Sequence, residues 1–177
     1  MKMNKIILGM SLALGMVSMS HAATTLAKGN GSVTFTGSVI DAACSIEPES
    51  VDQTVNLGMV SKVALKDKGS SVPQNFEIQL SNCDLEGAKK TVSATFTGPS
   101  GATTGMLGMT GTAKGASIAL TDGAGKLIKL GEATTTQALQ TGTNSMLFSA
   151  YLQGDGASDG IVPGDFKSVA NFTLTYQ

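Results

Sequence analysis

Covalent and metal chemistry need groups that can carry a charge, hold an ion or attack a substrate, and in this 177-residue chain such groups are sparse. There are two cysteines, Cys44 and Cys83, and one histidine, His21. His21 belongs to a stretch with its own logic: Lys2 and Lys5, then the apolar run Ile6 to Val17, then Ser20-His21-Ala22 with small residues flanking the histidine. That is the layout of an export leader over residues 1–22, cleaved after Ala22. A membrane anchor is the competing reading, but the apolar run is too short and too soon followed by polar sequence to span a bilayer. The mature chain then begins at Ala23 without a histidine and is not expected to insert in a membrane. Export implies an oxidising compartment, where an isolated cysteine pair reads as a disulfide rather than as a metal or redox centre. Closing the loop between Cys44 and Cys83 contributes about 3–4 kcal/mol on the chain-entropy view.

The remaining reactive types have structural explanations. Gly123-Ala-Gly-Lys126 echoes the end of a phosphate-binding loop, but the earlier glycine spacing is missing and Leu127 stands where Ser or Thr is needed, so it reads as a turn. Asp41, Glu47, Glu49 and Asp52 lack the odd-position spacing of a calcium loop and read as a solvated edge. Lys89-Lys90 follows Gly87 at a turn and reads as solubilising charge. Met59, Met106, Met109 and Met146 are expected to fill core space. No histidine base, free thiol or paired carboxylate marks a cleft, so no enzyme, metal or cofactor is expected. Lysine supplies all 12 basic residues against 13 acidic ones, and arginine is absent. With 5% aromatic residues as well, nothing here suits phosphate recognition or base stacking, which excludes nucleic acid as a partner.

What these sparse groups sit on is a set of short alternating segments. Gly31 to Val39 puts Val33, Phe35, Gly37 and Val39 on one face and Ser32, Thr34, Thr36 and Ser38 on the other, which is a strand's period of two. The run before it, Ala23 to Asn30, has no pattern, so this strand opens the mature chain and must find a sheet to bury its apolar face. Gly37 either marks a close backbone approach or a bulge. Further on, Phe76, Ile78 and Leu80 alternate with Glu77 and Gln79, and Val92, Ala94 and Phe96 with Thr91, Ser93 and Thr95. Ser117 to Leu120 and Lys126 to Leu130 flank Asp122-Gly-Ala-Gly125 as a hairpin. Ser145 to Gln153 turns Met146, Phe148, Ala150 and Leu152 inward, and Val169 to Tyr176 does so with Ala170, Phe172, Leu174 and Tyr176. No sustained helical period occurs. With low charge and abundant Gly, Ser and Thr, the expectation is one all-β domain, a β-sandwich, with 98–115 as a surface loop.

In order along the chain, Val33-Thr-Phe-Thr-Gly37, Asp41-Ala-Ala-Cys44, Asn82-Cys83, Thr95-Phe-Thr-Gly-Pro99 and Ala170-Asn-Phe-Thr-Leu-Thr-Tyr-Gln177 resemble the structural pilins of the chaperone–usher pathway. The likeness is greatest to major shaft subunits of the P-pilus and type 1 kind. It implies an incomplete immunoglobulin-like β-sandwich lacking its last strand, with a groove beside the C-terminal strand that is completed by donor-strand complementation. In that scheme residues 23–37 are the N-terminal donor-strand extension and 38–177 the pilin domain. Val33, Phe35, Gly37 and Val39 match the donor face, Gly37 at the position where only glycine fits. Gly164, Ala170, Phe172, Leu174, Tyr176 and the carboxylate of Gln177 match the edge that a chaperone or neighbour grips. The implied partners are other copies of the chain and related pilins, a periplasmic chaperone and an outer-membrane usher, and the destination is a surface fimbria reached through the periplasm. A minor or adaptor pilin, or an adhesive module of the same pathway, is the alternative function.

Overall fold

The computed structural model describes residues 29–87, 89–156 and 160–177, so the leader and the unpatterned start of the mature chain lie outside the described residues. The chain divides into two compact units, residues 1–39 and 40–177. In the first, the alternation of residues 31–39 forms no strand, and Val33, Phe35 and Val39 are 75%, 90% and 103% exposed. The physical reason is general: alternation selects a face, but a strand is made by the neighbour that accepts its main-chain bonds.

The second unit is built from β1 (Ser45–Ile46), a one-turn helix α1 (Pro48–Val51), a 3-10 segment (Lys62–Lys68), β2 (Gln74–Cys83), β3 (Thr91–Thr97), β4 (Thr110–Gly111), β5 (Ala116–Asp122), β6 (Leu127–Ile128), β7 (Gln137–Ala138), β8 (Gly142–Gly154), β9 (Phe166–Lys167) and β10 (Asn171–Tyr176). All pairings are antiparallel. They make a five-stranded sheet in the order β1-β2-β8-β5-β6, a three-stranded sheet β10-β3-β7 and a small β4-β9 ribbon. The larger sheet buries Ile78, Leu80, Ile118, Leu120, Met146, Phe148 and Leu152, and these share one core with Val92, Ala94 and Phe96 of β3. Phe148 is its hinge point, stacked on Phe76 at 5.5 Å and edge-on to Phe96 at 5.1 Å between ring centres, arrangements that aromatic quadrupoles favour. The Cys44–Cys83 disulfide closes a sequence separation of 39 and is buried within the same core. It ties the chain entering β1 to the end of β2, beside the bond that Asp84 N donates to Ala43 O.

The alternating segments become β2, β3, β5, β8 and β10, and the Asp122 turn joins β5 to β6, its carboxylate accepting from Ala124 N and Lys126 N. α1 has only four residues with Pro48 in its first turn, too few for any period to show. Three expectations are corrected. Met59 is fully exposed, whereas Met106 and Met146 are buried; Gly58 at φ +71 turns the chain there and sends the Met59 side chain outward. Ser93 is 2% exposed rather than on a wet face, because β3 is flanked by β10 on one side and by residues 133–138 on the other. Residues 98–115 are no free surface loop: Leu107 bridges Ile118 of β5, Met106 and Leu107 are buried, and Thr103 Oγ1 and Ser117 Oγ both donate to Asp155 Oδ1, at 2.8 and 2.6 Å.

Candidate functional site

The sequence of β10, Asn-Phe-Thr-Leu-Thr-Tyr, alternates polar and apolar, and the strand is half-buried in the same rhythm: Phe172, Leu174 and Tyr176 pack on the core while Asn171, Thr173 and Thr175 are exposed. Phe172 reaches Phe96 with ring centres 6.3 Å apart. β10 runs antiparallel to β3, with Phe172 opposite Phe96, Leu174 opposite Ala94 and Tyr176 opposite Val92.

The phase of that ladder decides which main-chain groups face outward. Gln177 and Thr91 exchange both bonds, Gln177 N to Thr91 O at 3.0 Å and Thr91 N to Gln177 O at 2.9 Å. Hydrogen-bonded and non-bonded pairs alternate along an antiparallel ladder. Thr175, Thr173 and Asn171 therefore bond to β3, whereas the N–H and C=O groups of Phe172, Leu174 and Tyr176 point away from it. Among the described residues no strand pairs with that other side. The same residues thus carry both the apolar face and the unmatched main-chain groups, the two deficits of an open sheet edge.

The other sequence-derived edge positions divide. Ala170 packs on the core just before β10, and Gln177 continues the ladder, its O accepting also from Lys90 N at 2.7 Å and Thr91 Oγ1 at 3.2 Å. Gly164 lies in the loop before β9. A Cβ there would run into Thr112 Oγ1 and sit 2.7 Å from Ala113 N, so its lack of a side chain serves the approach of this loop to β4 and its flank. In Val33, Phe35, Gly37 and Val39 the apolar alternation is unpartnered, and a Cβ on Gly37 would meet nothing within 4 Å.

A second open segment was not read from the sequence. Residues 54–60 follow α1 without secondary structure, with Val55, Leu57 and Val60 half-buried and Thr54 and Asn56 exposed. Leu57 and Val60 pack on the same core as β10. The Val55/Leu57 alternation was its only signal, and Gly58 cuts it short.

Electrostatics at the edge is quiet. Burial pushes the Tyr176 phenol above its usual range. Its Oη is also the one buried side-chain polar atom without a hydrogen-bond partner among the described residues. Elsewhere the Ser145 hydroxyl, then the Gln79 amide, hold the half-buried Glu77 carboxyl below its ordinary value. No group of three or more His, Cys, Asp or Glu arranged to hold a metal occurs among the described residues. What the arrangement can do is bind a strand.

The sequence matches the fimbrial protein family over residues 33–177. It is 56% identical to the Fimbria A protein of Serratia marcescens and 48% identical to the Major MR/P fimbria protein of Proteus mirabilis (strain HI4320), each alignment covering 100% of both chains. Its fold is similar to that of a chain in a solved chaperone–usher pilus, described for the uncoiling of its rod, with a TM-score of 0.75, 35% identity, and coverage of 88% of this chain and 100% of that one. An immunoglobulin-like sandwich with an open last edge, matched along its length by fimbrial subunits, leads to one conclusion: this chain belongs to the fimbrial protein family, as a structural subunit of the pilus shaft.

Proposed function

We propose that the subunit polymerises by donor-strand complementation, Val33, Phe35, Gly37 and Val39 of one copy seating along β10 of the next. The observation that carries this reading is the match of deficits. β10 has a half-buried apolar face and outward main-chain groups without a strand, and residues 33–39 have an apolar face without a sheet. A seated strand supplies main-chain bonds for affinity and alternate side chains for specificity. Residues 23–37 then serve as the extension and 38–177 as the acceptor domain. Before assembly the edge is a hazard, since open strands beside apolar surface aggregate. A strand lent by a periplasmic chaperone covers it during transit, and an outer-membrane usher exchanges that strand for the neighbour's. The role is structural, without a catalytic step.

Gly37 gives the test. Gly37→Leu adds a side chain where the donated backbone approaches its groove, without touching the subunit's own fold. The expected outcome is normal recovery of a soluble chaperone complex together with loss of surface fibres, read by co-purification and by electron microscopy of sheared material. Normal fibres, or loss of the complex, would overturn the donor role.

A further inference from the structure

The buried polar groups of the sandwich are matched with care. Ser50 Oγ accepts from Gln79 N, the Thr121 and Ser149 hydroxyls meet at 2.6 Å, and Asn144 exchanges two bonds with the Gln140 main chain at 2.8 and 2.7 Å. Tyr176 Oη is the exception, shielded from solvent and bonded to nothing. Its position makes the exception informative, because Tyr176 is one of the three residues whose main-chain groups face the open side of β10. Leaving a buried hydroxyl unmatched is costly, and folds rarely retain one without a purpose. Here the cost falls on the empty edge.

From this we infer that Tyr176 is an occupancy-sensing residue, its hydroxyl donating to a main-chain carbonyl of the seated strand and so penalising the empty edge while rewarding the filled one. The inference rests on the strand-acceptor reading above. A main-chain carbonyl is the partner because the donor face of Val33, Phe35, Gly37 and Val39 carries no polar side-chain atom, and a seated strand brings a row of carbonyls to this side. Tyr176 thereby adds a polar term to a groove that is otherwise apolar, and it discriminates against strands that fail to place a carbonyl there.

The test compares the mature subunit with its Tyr176→Phe variant, both carrying Gly37→Leu so that their own extensions cannot seat, each melted alone and with a synthetic peptide of residues 29–41. The expected result is opposite in sign for the two states. The empty variant melts higher than the empty Tyr176 form, because the orphan hydroxyl is gone, and it binds the peptide about tenfold more weakly, in line with one lost hydrogen bond. A tyrosine that merely packs would shift both states together. Equal peptide affinity, or a lower melting point for the empty variant, overturns the inference while leaving strand acceptance intact. Failure of the peptide to bind either protein overturns strand acceptance and this inference with it.

Discussion

At the scale of single residues, the cysteines are the clearest case of chemistry read correctly from context. Their pairing required only an exported chain with two thiols, and the structure joins Cys44 to Cys83 within the core. Replacing both with serine removes the cross-link and places two hydroxyls in an apolar site, so stability should fall by about 3 kcal/mol or more. Denaturant melts of the mature subunit measure this, and thiol labelling of the denatured, unreduced wild type should find none reactive. A variant as stable as the wild type would refute it. Met59 and Ser93 show where residue-level reading stops. Their types predict burial and exposure respectively, and the opposite holds, because a turn at Gly58 and the flanking of β3 are set by parts of the chain distant in sequence.

Among the elements, the long strands were legible from a period of two repeated several times, although the same period over residues 31–39 forms no strand. β2, β3, β5, β8 and β10 all fall on alternating segments. The two-residue strands β1, β4, β6, β7 and β9 and the four-residue α1 were not individually readable, because a pattern cannot repeat within them. The same limit hid the segment 54–60 and the inward packing of 98–115, where glycines at 98, 101 and 108 allow close approach rather than a free surface loop. For β10, sequence supplied the apolar face, while the direction of each main-chain group came only from its pairing with β3. That direction makes a prediction by contrast. Proline removes an N–H, which an edge strand tolerates where that N–H faces away from its neighbour. Leu174→Pro should leave the subunit folded, with a melting point lowered mainly by the lost leucine packing, yet block strand acceptance. Thr173→Pro removes a bond to β3 and should lower the melting point further. Melting curves and peptide binding on both variants decide it, and equal melting points with equal binding would show the ladder phase to be misassigned.

At the level of the whole molecule, the proposed reading joins three features: the expected export leader, the open edge at β10 and the exposed apolar alternation of residues 33–39. Family membership follows from matches along the full chain, whereas the proposed mode of assembly rests on the open edge of β10. A mature subunit lacking residues 23–39 keeps its acceptor but has nothing to donate. Co-expressed with the wild type in rising proportion, it should shorten fibres progressively while total subunit in the chaperone complex stays constant. Fibre lengths in electron micrographs, unchanged across that series, would argue that growth does not run through the extension.

Under the proposed donor-strand assembly, the open side of β10 also sets the arithmetic of growth. A particle with one plug and one socket has a valence of two with unlike ends, so contacts are heterologous, and repeated contacts build filaments rather than closed symmetric pairs. Such a filament cannot branch. Its two tips differ chemically, one ending in an unused plug and the other in an unfilled socket, and adding subunits changes its length without changing the number of unsatisfied ends.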